Sequence, residues 1–310
     1  MELLVLLLPF FLAGIGAALL SKLSGVAMSM VLVPTILCLG ATPIEVVSFM
    51  FLFVLYNNFT VETQDVRLDF KQLLFFKGWA FIIPILIMIG IAFFSPALSI
   101  VLFVAYFIVE LGGALYKRLP IQEQPDKSQV IIHSVLAAIT TLLGVALVRY
   151  IPDTVYFGLV GVAILLITWF AWYSSKHRSM CQIWWTYIWS IGHILFGVFG
   201  VEASRYPKAL RRYIPQAMDT MMPLVTVVAS FVGIIYVYAD EGQFSLPAFA
   251  AAIGAALTIR IIGLYEFPKR GTFSYLAIAI AVLAVICLYL VSPMPTGFSG
   301  ITTIFNQPVM

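Results

Sequence analysis

Charge is what this chain has least of. Asp, Glu, Lys and Arg make up only 10% of its 310 residues, against roughly a quarter in soluble domains, and mean hydropathy is +1.06. That composition excludes an ordinary soluble domain and predicts an integral membrane protein. The roughly ten-residue segments of alternating polarity that a barrel needs are missing. Successive apolar stretches near 20 residues predict helices instead, because lipid offers backbone groups no hydrogen-bond partner. Net charge is +3, but the basic residues lie mainly in short connections, which argues for topology and against a nucleic-acid partner. Cysteine is scarce: Cys38, Cys181 and Cys287 share no short spacing and form no metal pattern with the three histidines, so they read as packing residues. Acids are scattered singly, and no phosphate-binding loop is present, so no cofactor and no direct use of ATP are expected. Met1-Glu2 lacks the basic region and cleavage site of a removable signal peptide, and Leu3 onward is expected to stay in the mature protein.

What is present begins with a run too long for one helix. Leu3 to Gly40 is 38 residues whose single charge is Lys22, inside Ser21-Lys22-Leu23-Ser24-Gly25. The run reads as two helical arms meeting at Ser24-Gly25. Further spans are predicted at 43–58, 74–93, 97–116, 130–149, 155–173, 217–238, 247–265 and 272–291, with another apolar stretch near 184–203. Breakers such as Ser95-Pro96, Ile151-Pro152-Asp153 and Pro268 to Gly271 separate them. Residues 59–73 alternate polar and apolar types and suit an interfacial segment.

Basic residues assign the sides. Arg67, Lys71, Lys77, Lys117, Arg118, Lys127, Lys176, Arg178, Lys269 and Arg270 are expected on the cytoplasmic side. The connections near Ser95 and from Asp240 to Ser245 carry no Lys or Arg, and 150–154 has only Arg149 at its edge. These should face outward, as should both termini. The parity makes the halves inverted. The expected architecture is an all-α polytopic membrane protein of two inverted repeats, 1–120 and 181–310, with a helix pair inserted between them at 121–180. Each repeat holds a re-entrant hairpin, 3–40 opening outward and 184–214 opening inward, followed by three spans. An ordinary span over 3–20 is the alternative, and it loses the symmetry.

These halves resemble the TauE/SafE (TSUP) family of sulfite and organosulfonate exporters. The first half reads Ser24-Gly25-Val26-Ala27, Pro34, Gly40-Ala41-Thr42-Pro43 and Ser48; the second reads Phe199-Gly200-Val201-Glu202, Pro207, Ile214-Pro215 and Thr220. The family's run of consecutive glycines is replaced here by Ala27-Met28-Ser29 and Glu202-Ala203-Ser204. The resemblance implies a secondary transporter in the cytoplasmic membrane that exports a small sulfur-containing anion. It implies substrate contacts at Ser24, Gly25, Ser48, Gly200 and Thr220. An intramembrane enzyme acting on a lipid-type substrate would need a metal or nucleophile cluster; a membrane scaffold would have no use for broken helices.

Among the charged residues Lys22 comes first. Broken helices expose unpaired N–H groups and positive dipole ends, so a nearby cation makes an anion site. Alternatively, its stem snorkels to an interface, or its charge pairs with a carboxylate. Arg260 lines the anion path or reaches headgroups. Arg205, Lys208, Arg211 and Arg212, spaced three and four apart, form a basic inner vestibule or an ordinary cytoplasmic loop, with Glu202 a partner for Arg205. Coupling to a proton or sodium gradient requires an acid or a histidine within the membrane: Glu45, Glu110, Asp219 and His193 are the candidates. A Glu110–Arg260 pair would satisfy both. His133 reads as a satisfied interface histidine, Asn57 and Asn58 as a helix stop, and Trp184, Trp185, Tyr187 and Trp189 as headgroup anchors.

Overall fold

The computed structural model describes residues 2–24, 26–57, 79–118, 124–176, 184–201, 216–241, 246–262 and 275–292. These fold as helices: α1 (Glu2–Ser24), α2 (Ser29–Cys38), α3 (Pro43–Asn57), α4 (Trp79–Ala92), α5 (Pro96–Arg118), α6 (Lys127–Val148), α7 (Asp153–Lys176), α8 (Trp184–Ile191), α9 (His193–Phe199), α10 (Gln216–Glu241), α11 (Leu246–Ile262) and α12 (Tyr275–Val291). No strand occurs among the described residues. The all-helical expectation holds, and the predicted spans match helices with ends displaced by a few residues. The interfacial segment expected at 59–73 lies outside the described residues. Among the described residues two helices, Leu6–Ser24 and Lys127–Val148, are long and apolar enough to cross a membrane by length and composition.

The first apolar run does break after Ser24, yet its arms are unequal. At about 1.5 Å per residue, 23 residues extend roughly 35 Å, the length of a complete span rather than of a re-entrant half. Nothing earlier stops the helix. Pro9 sits in its interior, and Gly14 is held at a backbone-to-backbone crossing, where an added Cβ would strike the Ala251 backbone of α11. Ser24 closes the helix: its hydroxyl donates to the Leu20 carbonyl (2.5 Å) and accepts from the Val26 N–H (3.3 Å). Lys22 therefore lies in the last turn, where a cation complements the helix dipole. It is exposed, not enclosed mid-run.

Gly40, at φ +93°, supplies the left-handed turn between α2 and α3. Thr42-Pro43-Ile44-Glu45 then starts α3, with proline at the first helical position. The Glu45 carboxylate accepts from both the Thr42 N–H (2.7 Å) and the Thr42 hydroxyl (2.9 Å), half of a capping box.

Helix α3 is the centre of the bundle. Phe49 to Val54 are buried without interruption, so the helix is covered on every side, by α2, α9, α10 and α11 among others. The outer helices invert the usual rule. Large apolar side chains face outward along α4, α5, α7 and α12, and Phe93 and Phe94, between α4 and α5, are 87% and 93% exposed.

The helix pair 130–149 and 155–173, expected as an insertion, is woven into the bundle. Helix α6 packs on α8, α9 and α10, and α7 packs on α12 and α2. The cause is a crossing of small residues: a Cβ on Gly144 would meet the Ile194 carbonyl, and one on Gly197 the Thr141 carbonyl. Asp126 caps α6 by accepting from the Ser128 N–H (3.2 Å) and hydroxyl (2.5 Å), and these bonds hold its carboxyl below the ordinary range.

Candidate functional site

Both interruptions end in the buried interior. After α1, the chain through Val26, Ala27 and Met28 is buried, and α2 starts without a side-chain cap. At the end of α9, Gly200 adopts the left-handed conformation (φ +68°, ψ 7°) and its N–H donates to the Phe196 carbonyl (2.9 Å). This is the single-bond helix ending that glycine favours. Here glycine has a second reason. An added Cβ would lie 2.7 Å from Cγ of Met50 on α3 and 3.5 Å from the Val33 side chain on α2. The end of α9, the middle of α2 and the middle of α3 therefore meet at one point, next to the fully buried Val201.

The candidate residues distribute unevenly around that junction. Ser24 is buried but turned onto its own helix, whereas Lys22 is exposed. Ser48 is half-buried on α3, and Arg260 is exposed in the last turn of α11. Gly25 and Arg205, with Glu202, Lys208, Arg211 and Arg212, lie outside the described residues, as does Asn58. Asp219 and Thr220 fall in the first two turns of α10, and their side chains are outside the described ones. Glu45 is engaged as a helix cap. Glu110 is buried on α5 with the Tyr106 hydroxyl turned to it from one turn away.

His193 is fully buried at the first position of α9, and polar side chains gather around it. Its Nδ1 lies 3.2 Å from the Trp189 carbonyl and its Nε2 3.5 Å from the Thr226 hydroxyl of α10. His133, on α6, is as deeply buried, with Nδ1 2.9 Å from the Ser190 hydroxyl. Thr140 donates to the Ser190 carbonyl (3.0 Å), and Thr141 reaches the His193 carbonyl (3.5 Å). Sequence reading missed this cluster and took His133 for an interface residue. Its signal was periodic. His133, Thr140, Thr141 and Gly144 form one stripe on α6, and Thr186, Ser190, His193 and Gly197 another along α8 and α9. The stripes meet face to face.

The aromatic segment also departs from expectation. Trp189 is buried, its ring edge-on to His193 with centroids 4.6 Å apart, so it is a core residue and not a headgroup anchor. No three His, Cys, Asp or Glu side chains gather at metal-binding distance among the described residues.

The cap reading of Glu45 makes a prediction. Glu45→Gln keeps an accepting oxygen and should leave thermal stability nearly unchanged; Glu45→Ala should cost about 1 kcal/mol. A loss of stability in Glu45→Gln as large as that in Glu45→Ala would refute the cap.

The class that these observations define is a protein whose described residues are all-helical, with apolar helices, two of those described being of membrane-crossing length and composition. Set against family models, curated proteins and solved structures, the chain matches none.

Proposed function

We propose that the chain is a multi-pass protein of the cytoplasmic membrane and a secondary transporter of small sulfur-containing anions, such as sulfite or a sulfonate. It works by alternating access driven by an ion gradient, with export the direction that the TauE/SafE resemblance implies. One observation carries the reading: two interrupted helical segments run into the buried interior, and the second ends at Gly200 against both α2 and α3. Irregular backbone is tolerated at membrane depth where protein encloses it or where it lines a cavity, and transporters place substrates at such interruptions. In sequence Lys22 precedes the first break and the basic positions 205–212 follow the second, and cations in such places would attract an anion.

The test is flux of a radiolabelled sulfur oxyanion and a radiolabelled sulfonate into proteoliposomes, with and without pH and sodium gradients. Gradient-dependent flux is expected; none with either anion removes the proposal. Lys22→Gln should weaken anion binding without preventing insertion, and unchanged affinity would make Lys22 an interfacial residue. Cysteines introduced across Asp240 to Ser245 should label from outside and those across Lys176 to Ser179 from inside. Labelling of both from one side would break the assignment of sides from loop charge.

A further inference from the structure

Hydrogen-bond accounting fixes the state of the two buried histidines. The Ser190 hydroxyl donates to the Thr186 carbonyl (3.0 Å), an oxygen that can only accept, so its lone pair receives the His133 Nδ1–H. The Trp189 carbonyl likewise can only accept, so His193 donates from Nδ1. Both imidazoles are thereby held as the Nδ1–H tautomer, with the basic lone pair on Nε2. On His193 that lone pair faces the Thr226 hydroxyl, which is the donor of this long contact (3.5 Å). On His133, Nε2 is buried and has no hydrogen-bond partner among the described residues. A structural histidine in an apolar interior normally has both nitrogens satisfied.

Among the described side chains no charged group is placed against either ring. On the helices packed against them, Glu45 closes the start of α3, Lys127 lies over Tyr116 and Arg149 lies over Tyr236. Tyr187 of α8 stands against His133, centroids 4.6 Å apart. The contacts of His193 include Trp189, the Ser190 backbone, Phe196 and Thr226, and the side chains of Asp219, Asp240 and Glu241 on α10 are outside the described ones. His133 Nε2 thus has no partner among the described residues and His193 Nε2 only the long contact to the Thr226 hydroxyl, on the helix pair that leads to Gly200.

We infer that His193 and His133 bind the coupling proton at Nε2, making the proton the driving ion. This rests on the transporter reading. Taking up the proton converts a neutral ring to an imidazolium with no counterion among the described side chains, a costly state that a bound anion would relieve. Proton and anion occupancy are thereby linked, each altering the affinity for the other by the same factor. His193 opens the short helix that ends at Gly200, so the charge change falls on the arm that reaches the junction.

Two measurements test this separately from transport. Trp189 touches His193 edge-on, and a protonated imidazole quenches tryptophan emission. Fluorescence of the purified full-length protein should therefore titrate with the protonation of His193 as pH is lowered. Trp189→Phe and His193→Gln should each abolish that titration; its survival in His193→Gln, or its absence from wild type, overturns the assignment to His193. In proteoliposomes, sulfite movement driven by an imposed pH gradient should be lost in His133→Gln and His193→Gln, while sulfite exchange at equal pH persists. Full pH-driven movement in both variants overturns the inference and leaves the transporter reading intact. No sulfite or sulfonate movement by wild type overturns that reading, and the fluorescence titration still decides whether the histidine binds a proton. If the glutamine variants fail to fold, Thr226→Val and Ser190→Ala each remove one hydroxyl and retain both rings. Each should shift the pH dependence of sulfite movement or of fluorescence, and no shift in either overturns the inference.

Discussion

Gly144→Val and Gly197→Val are each expected to destroy the folded protein. The two glycines face one another where α6 crosses α9, and a Cβ on Gly144 would fall within 2.8 Å of the Gly197 Cα as well as on the Ile194 carbonyl. These neighbours are backbone, so no rotamer change can relieve the overlap. Overpacking of an ordinary core costs about 1 to 3 kcal/mol, and a clash that must separate two helices should cost about 3 kcal/mol or more. The separation would also pull Thr140 and Thr141 from the carbonyls they bond on α8 and α9. Close approach through small residues is a principal means by which helices hold together in lipid, where apolar burial gives little drive. The check is thermal unfolding in detergent, with Gly158→Ala as control. Nothing lies within 4 Å of a Cβ there, so the control should melt at or slightly above the wild-type temperature. A Gly144→Val protein that melts like wild type would show that the crossing is not close.

The second large effect is at Gly200, where two costs are superposed. A Cβ in the left-handed region costs about 1 to 2 kcal/mol, and the approach to Met50 adds the cost of shifting a fully buried side chain. Gly200→Ala should therefore destabilise by about 3 kcal/mol in total. The two parts can be separated. In a Met50→Gly background, which removes both the Cγ at 2.7 Å and the Cβ at 2.9 Å, the steric part vanishes, and Gly200→Ala should cost only about 1 to 2 kcal/mol more. Additive costs in that double-mutant cycle would refute the contact between the end of α9 and α3. If the junction is the substrate path, Gly200→Ala should also slow anion flux more than its stability loss explains.

Where helices begin and end was largely legible in the sequence, because apolar runs and breakers act locally. The stop at Ser24 followed from the length of the run and the Ser-Gly pair. The position of Lys22 was misjudged for a related reason: midway along an uninterrupted apolar stretch is the end of a helix when that stretch holds two unequal ones. Glu45 looked like an isolated acid inside a span, although Thr42-Pro43-Ile44-Glu45 already carried the spacing of a cap. The histidine cluster was harder. His133 and Ser190 lie 57 positions apart, and neither stripe of small polar residues has a meaning until α6 is laid against α8 and α9. The same tertiary pairing turned a supposed insertion into a packing centre, which no reading of loop charges reveals.

That crossing also constrains how the molecule can change shape. Helices that touch through side chains can slide as rotamers exchange, but α6 and α9 touch through their main chains and have nothing to exchange. They must travel as one body, with the two imidazoles in nearly constant register. Bending is left to the joints on either side. One is Gly192, where α8 gives way to α9; the other is the left-handed link at Gly200. Any alternation between two conformations is then a rocking of this paired unit against α3, and the short helix acts as its lever.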